Sequence, residues 1–263
     1  GYKTSDLVAS AFGGQMYVTG RSTGNPLKLY GQQSYLIASL FGATGIFLAL
    51  RKRRRSGQGE HIDISIQEAV TASLEHVMVR FFHEGIIAER QGNLHRNHFF
   101  HIFRCKDGFI QINLFEGWET LVEWMDSEGM SENLKDDRWR DDRYRRKHID
   151  HIIKVIGRWT KTHSINELFH LGQLMRFSWA PVQTPQQIRE CPQLRAREFF
   201  VNIEHREEGD IIKYPRFPSK FYPPITAPNK PAPRIGEDNI QIFCKELGLS
   251  KNKFCMLSAG GVI

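Results

Sequence analysis

The feature that most constrains the fold is a stretch of the chain, residues 7–59, that contains no Asp or Glu. Within it, residues 34–50 form an apolar run that ends in five consecutive basic residues, 51–55. About 16 residues of the run are uninterrupted, which is short of the roughly 20 that cross a bilayer. The run therefore predicts a helix buried in a protein interior, and we expect no membrane association.

The charge of the same stretch is one-sided. Its seven basic residues equal the whole formal net charge of +7, while the rest of the chain is balanced. Local positive potential attracts phosphate-rich ligands, RNA or anionic lipid. No aromatic stacking platform or known motif surrounds residues 51–55, so we interpret them as a solvated helix end and expect no nucleic-acid partner.

The four cysteines form no C-x-x-C pair and have no short even spacing. This usage is typical of reduced thiols in a cytoplasmic protein, and it indicates no zinc site. The first residue is Gly1, and no basic segment followed by an apolar one lies near it. We therefore expect no signal peptide and a chain that begins inside a longer gene product.

The pattern after the basic run predicts a strand followed by a helix. Residues 61–66 alternate polar and apolar side chains, which is typical of a half-buried strand. Ser65 and Glu68 then fit a helix-capping box, in which each side chain bonds the backbone amide of the other.

The middle of the chain has the pattern of a small α+β domain. Residues 99–105 and 109–114 read as two strands around Asp107-Gly108, a dipeptide that favours a tight hairpin turn. Ser164 and Glu167 form a second capping box. Helices are predicted over residues 118–125, 144–159 and 165–174.

Short motifs spread over nearly the whole chain carry a family resemblance. They are Gly13-Gly14, Thr19-Gly20, Ser56-Gly57-Gln58-Gly59, Gln67-Glu68-Ala69, Gly92-Asn93, Cys105-Lys106-Asp107-Gly108, Ala180-Pro181-Val182 and Gly236-Glu237. In this order they resemble the family III CoA-transferases of the CaiB/BaiF type, the group that includes formyl-CoA transferase, carnitine CoA-transferase and α-methylacyl-CoA racemase.

This resemblance implies an α/β fold with a large Rossmann-like domain, only partly contained in this chain, and a smaller α+β domain. Strands of the large domain that this chain does not contain would cover the helix at residues 34–50, so we expect that helix to expose apolar surface within this chain. Residues 1–88 would belong to the large domain, residues 92–200 to the small domain, and residues 205–263 to a C-terminal return to the large domain. The resemblance also implies an interlocked dimer. Coenzyme A or acyl-CoA would be a substrate, with no covalently bound cofactor.

The resemblance implies covalent catalysis by an aspartate. That aspartate attacks the acyl-CoA thioester and forms a mixed anhydride, then an enzyme-bound CoA thioester, before CoA passes to an acceptor acid. In register with the turn at residues 56–59, the aspartate position falls on Tyr35. Phenols are largely protonated and weakly nucleophilic at neutral pH. We therefore expect Tyr35 to pack or hydrogen-bond, and we assign no catalytic residue.

Two groups of residues near position 95 are candidates for a substrate site and a metal site. Gly92 and Asn93 match a loop that lies near the active-site entrance in relatives, and the resemblance gives them a substrate-side role. His95, His98 and His101 recur at every third residue, but no carboxylate is adjacent. We interpret them as surface or loop histidines and expect no metal site.

Two functions from different classes follow. The first is a subunit or paralogue of a family III acyl-CoA:carboxylate CoA-transferase that supports an aspartate-bearing homologous partner in a homo- or heterodimer, with acyl-CoA and an organic acid as substrates. The second is a non-catalytic CoA- or acyl-CoA-binding or regulatory protein. The missing aspartate favours a chain that is inactive on its own.

Overall fold

The computed structural model describes residues 3–92, 100–205, 209–222 and 231–263. The chain divides into two compact units, residues 1–182 and residues 183–263. Each unit is described by itself below. The boundaries expected from the resemblance, at residues 88, 92, 200 and 205, stay predictions.

Over residues 3–92, the first unit has five helices joined by turns and by two longer segments, residues 19–32 and 57–65. They are α1 (Asp6–Phe12), α2 (Gln15–Val18), α3 (Gln33–Ser56), α4 (Ile66–Ala72) and α5 (Val77–Glu84). The hydroxyl of Ser5 accepts a hydrogen bond from the amide of Val8 and so begins α1. Gly13 lies so close to α4 that an added Cβ would stand 2.4 Å from Cγ1 of Val70. Glycine at this position therefore permits the close approach of α1 and α4.

The apolar run at residues 34–50 forms the long helix α3, as predicted. Within α3, all of whose residues are described, Ser34 alone is buried. The exposure expected of this helix within this chain is therefore confirmed, and the buried environment predicted from the run by itself is not found here. The physical reason is coverage, because α1 and α4, which contact α3, have seven residues each against its 24. Large apolar side chains stay exposed, as Leu40 (70%) and Phe47 (73%) illustrate. Among the described residues, α3 is the one helix whose length and composition would allow it to cross a membrane.

The strand predicted for residues 61–66 is wrong. Residues 60–65 belong to neither a helix nor a strand, and α4 begins at Ile66. Their apolar side chains lie against α3 instead, since a Cβ added at Gly45 would stand 3.3 Å from Cγ2 of Ile62. The hydroxyl of Ser65 accepts a hydrogen bond from the amide of Glu68, at 3.3 Å, which is one half of the predicted capping box. The reciprocal bond from the Ser65 amide to the Glu68 side chain is not formed, so the box is only partly confirmed.

The middle of the chain folds around a small antiparallel sheet in the order β1 (Phe100–Arg104), β2 (Phe109–Asn113) and β3 (Ala180–Pro181). The predicted hairpin is confirmed, because Arg104 pairs with Phe109 across a turn in which Gly108 has a φ of 156°. Four helices pack with the sheet: α6 (Trp118–Ser127), α7 (Asp142–Lys147), α8 (Ile149–Thr160) and α9 (Ile165–Leu174). The single helix predicted over residues 144–159 is therefore two helices, separated at His148.

One hydrophobic core joins these strands and helices. Its buried members run from Phe103 to Trp179 and include all five tryptophans of the chain. The N-terminus of α9 forms the predicted capping box, in which Ser164 and Glu167 bond each other's backbone amides. Large buried side chains are thus concentrated in residues 103–179.

The second unit is more open. It contains α10 (Pro185–Glu190), α11 (Pro192–Ala196), the antiparallel pair β4 (Phe200–His205) and β5 (Asp210–Pro215), a π-helix (Ile240–Glu246) and α12 (Lys251–Ala259). Every residue of β5 is exposed, and in β4 Ile203 is the buried residue. The hydroxyl of Ser250 accepts a hydrogen bond from the amide of Lys253, which begins α12.

Candidate functional site

The expected nucleophile position lies in the first turn of α3. Tyr35 is the third residue of the helix and is half-buried. Its carbonyl oxygen accepts a hydrogen bond from the hydroxyl of Ser39 at 2.7 Å, one turn further on. Gln32, the residue that precedes α3, provides no side-chain hydrogen bond to the helix. The first amides of α3 therefore need a partner from another part of the chain.

A carboxylate from α1 supplies that partner. Oδ1 of Asp6 accepts the backbone amide of Ser34 at 2.9 Å, and the backbone carbonyl of Asp6 accepts the Ser34 hydroxyl at 3.1 Å. Oδ2 of Asp6 forms an ion pair with Nζ of Lys28 at 2.7 Å. The fold thus brings an acidic side chain next to position 35, although residues 7–59 contain none.

The surroundings of Asp6 favour its ionised form. Burial alone would raise the pKa of this carboxyl, which is 8% exposed. The hydrogen bond from Lys28, the backbone amides of Ser34 and Tyr35, and the charge of Lys28 together outweigh burial and hold the pKa below its ordinary value. Asp6 is therefore an anion with both oxygens engaged.

A second cluster ties the Thr19-Gly20 motif to the start of the Gly92 loop. The amide of Gly92 donates to the carbonyl of Gly20 at 2.9 Å, and Gly92 has a φ of 62°, a region that glycine enters easily. Arg90 donates to the carbonyl of Tyr17 at 3.0 Å and lies 5.9 Å from the centre of its ring. Two motifs that lie far apart in the sequence thus meet here, whereas Asn93 lies outside the described residues.

The segment between Thr19 and α3 connects the two clusters. The amide of Leu27 donates to the carbonyl of Thr19 at 2.9 Å, so Lys28 follows directly from a bonded position. Lys28 also donates to the carbonyl of Leu29 at 3.0 Å and to that of Gly31. The segment between Thr19 and α3 is therefore held at both ends.

The histidine set gives no metal centre in the part of the chain that the structure describes. No group of three or more His, Cys, Asp or Glu there could hold a metal ion. His95 and His98 lie outside the described residues. His101 is not a loop residue, because it is in β1 with its ring 4.6 Å from that of Phe103. Burial lowers the pKa of His101, which favours the neutral imidazole.

The basic run forms the last turns of α3 and is exposed throughout. Lys52 forms an ion pair with Glu60 beyond the helix end. One face of these turns lines a shallow cavity formed by Leu48, Arg51, Lys52, Arg55 and Ser56. The exposure is what we expect of a solvated helix end, and the cations lie where the helix dipole favours them.

Sequence patterns pointed to Tyr35 and Gly92 but missed Asp6, Lys28 and Arg90. Asp6 lies one residue before the acid-free stretch begins, and its contact with Ser34 spans 28 positions. Helical and strand periodicities describe neighbours along one element, so they carry no signal for such a contact. The assembled groups can hold position 35 in place, but they offer no free carboxylate for attack on a thioester.

Comparison with known proteins agrees with the family resemblance. The model of CoA-transferase family III matches residues 2–239. The chain is 30% identical over 251 residues to the succinyl-CoA:(R)-benzylsuccinate CoA-transferase subunit BbsE of Thauera aromatica, covering 92% of this chain and 61% of that protein. It is 27% identical over 246 residues to the succinyl-CoA:mesaconate CoA-transferase of Haloarcula hispanica, again covering 92% and 61%. The chain thus spans about three fifths of the length of these relatives.

Solved structures confirm the fold class. A CaiB/BaiF family protein from Brucella suis superposes with a TM-score of 0.79 at 21% sequence identity, over 91% of this chain and 62% of that one. At this identity the likeness establishes the fold alone. Because the family model matches most of this chain, the chain belongs to the family III CoA-transferases.

Proposed function

We propose that this chain is a subunit or paralogue of a family III acyl-CoA:carboxylate CoA-transferase that works with an aspartate-bearing homologous partner. The side chain at position 35 carries the proposal, because Tyr35 occupies the position that the resemblance assigns to the nucleophile. Asp6 is a poor replacement, since it is buried and its two oxygens are held by Ser34 and Lys28. Covalent transfer needs a carboxylate free to attack, so the partner supplies it.

The substrates proposed are an acyl-CoA and an organic acid, with CoA bound as a substrate rather than as a resident cofactor. The names of both relatives combine succinyl-CoA with a carboxylate, and BbsE is named as a subunit. Succinyl-CoA is therefore the first donor to test, with benzylsuccinate and mesaconate as the first acceptors.

The proposed assembly is an interlocked heterodimer with the aspartate-bearing homologue, in the cytoplasm and without nucleic acid or membrane; a homodimer of this chain fits the non-catalytic alternative, because both copies would have Tyr35. The exposed apolar side chains of α3, among them Leu40 and Phe47, support a state in which further polypeptide covers this helix. Covering these side chains removes apolar surface from water, which stabilises the assembled state.

The test is co-expression of the natural full-length subunit with its closest aspartate-bearing homologue. CoA transfer from succinyl-CoA is measured for the subunit alone, for the heteromer, and for a heteromer whose partner aspartate is replaced by alanine. We expect CoA transfer by the intact heteromer, none by the subunit alone, and loss of transfer when the partner aspartate is removed. Hydroxylamine trapping should locate the covalent intermediate on the partner, because the thioester forms on its carboxylate.

Tyr35→Phe tests the role of the phenol, and Tyr30→Phe is its matched control because Tyr30 is almost fully exposed (99%). Both variants should keep the heteromer's turnover within about two-fold, since neither hydroxyl takes part in the transfer. Transfer by the subunit alone would refute the need for a partner. A stable heteromer that binds CoA but transfers none of it would favour the non-catalytic binding or regulatory function instead.

A further inference from the structure

The start of α3 is held by a side chain from another helix. Gln32 provides no side-chain cap, and the amide of Ser34 is instead bound by Oδ1 of Asp6 at 2.9 Å. The Ser34 hydroxyl returns a bond to the Asp6 carbonyl at 3.1 Å. Ser34 is fully buried, so no water replaces these bonds in the folded chain. The first turn of α3 therefore depends on Asp6 for its hydrogen bonds.

Asp6 also stands at a meeting point of favourable charges. It lies in the first turn of α1, where the amide dipoles favour an anion, and it reaches the first turn of α3 at the same time. Lys28 completes the group with an ion pair of 2.7 Å and ties itself to the carbonyls of Leu29 and Gly31. One carboxylate thus connects α1, α3 and the loop between them.

We propose that Asp6 is a positioning residue whose carboxylate, paired with Lys28, fixes the first turn of α3 and with it position 35. The inference rests on the proposed function only in treating position 35 as part of the transfer site. Asp6 acts through the backbone of Ser34 and Tyr35 and does not touch a substrate. It differs in this respect from a replacement nucleophile, which would need a free oxygen.

We call the contacts of the Asp6 carboxylate with Ser34 and Lys28 the latch. The charges around it give the latch a definite pH dependence. The elements packed on α1 are α2, α3 and α4. Their titratable and charged groups are Tyr17, Tyr35, the basic residues 51–55 at the far end of α3, and Glu68. Lys28, in the loop, is the charged group paired with Asp6. Because the pKa of Asp6 is lowered, the charged contribution of the carboxylate is complete above the ordinary aspartate value of 3.8 and is lost as pH falls through the folded value, which weakens the latch.

Hydrogen exchange of the amides at residues 33–36 tests the latch without any substrate. Asp6→Ala should speed their exchange at least ten-fold at pH 7, while the core amides of residues 103–179 stay unchanged. Asp6→Asn keeps an acceptor oxygen but loses the charge that pairs with Lys28, so it should retain part of the protection and show no further loss at acid pH. The matched control is Glu84→Gln, which removes the exposed Arg80–Glu84 ion pair of the same unit.

Lys28→Met supplies the pH test. Without its cation the Asp6 carboxyl should take up a proton at higher pH. As pH falls, protection of residues 33–36, corrected for intrinsic exchange, should therefore weaken at a higher pH in this variant than in the native chain. Added formate should partly restore protection in Asp6→Ala, because it returns an anion to Lys28, and should have no effect in the Asp6→Ala/Lys28→Met double variant.

Three results would overturn the latch: exchange in Asp6→Ala that equals the Glu84→Gln control, the same pH profile with and without Lys28, or formate rescue in the double variant. If Asp6→Ala unfolds the chain, the core amides will exchange as well. The pH profiles of Asp6→Asn and Lys28→Met then decide the question, because the latch requires an acid-induced loss of protection in Lys28→Met and none in Asp6→Asn. Failure of the proposed function would appear in the transfer assay, which this exchange experiment does not use.

Discussion

Glu128 joins three aromatic side chains of the small core, and its removal should be costly. The indole N–H of Trp124 donates to Oε1 of Glu128 at 2.8 Å, and that of Trp159 donates to Oε2 at 2.7 Å. Nε2 of His163 lies 3.1 Å from Oε2. Glu128→Ala leaves both indole donors without this partner, although Trp159 is fully buried.

The expected loss follows from these two hydrogen bonds. A bond to a charged acceptor contributes about 1.5–3 kcal/mol, and a buried donor left without a partner costs a similar amount. The Glu128 side chain is 30% exposed, so water can reach part of the vacated space. We therefore expect Glu128→Ala to lower the free energy of unfolding by about 2–4 kcal/mol, rather than by the full sum of both bonds.

Guanidinium unfolding followed by tryptophan fluorescence measures this loss, because all five tryptophans belong to the same core. Glu123→Ala is the matched control, since Glu123 is an exposed glutamate of α6 with no recorded bond to the core. The control should lose less than about 0.5 kcal/mol. Equal midpoints and slopes for the two variants would show that the indole bonds contribute no net stability, and the reasoning would fail.

Two further predictions concern the same core. Gly117→Ala should lower the free energy of unfolding by about 1–3 kcal/mol more than Gly129→Ala, because both glycines have positive φ but only at Gly117 would the Cβ meet a neighbour, Phe177 at 2.6 Å; equal losses would contradict the clash. Burial, with the nearby charge of Asp107, raises the pKa of Cys105 to about 11, so at pH 8 a disulfide reagent should label exposed Cys255 within minutes and Cys105 only on unfolding; equal rates would contradict this.

Local chemistry predicted the elements whose signals lie within a few residues. The capping box at Ser164 and Glu167 fixed the start of α9, and Asp107-Gly108 marked the hairpin of β1 and β2, because both patterns satisfy backbone groups within one turn. The strand predicted at residues 61–66 failed because alternation indicates a half-buried extended segment, while a strand also needs a neighbour to bond. In this segment the alternating apolar side chains Ile62 and Ile64 lie against Gly45 of α3, and the backbone bonds no neighbouring strand.

The long helix shows the same limit for burial. Hydropathy predicts that the apolar residues 34–50 avoid water, but it does not say which surface covers them. Within this chain, α1 and α4 are too short to do so, and Leu40 and Phe47 remain exposed. The pattern therefore predicted the helix, while its exposure within this chain follows from the part of the large domain that the resemblance places outside the chain.

The candidate site was harder to predict than the core because it is built from polar contacts. In residues 3–92 the buried polar side chains are Asp6, Ser10, Gln15 and Ser34. The hydroxyl of Ser10 donates to Oε1 of Gln15 at 2.9 Å, and Asp6 binds Ser34 from α1 to α3. Buried polar groups are costly without partners, so each must be bonded, yet a partner can come from any distance along the chain. The order of this segment therefore depends on a few specific hydrogen bonds, and single substitutions at Asp6 should disturb the site while leaving the tryptophan core intact.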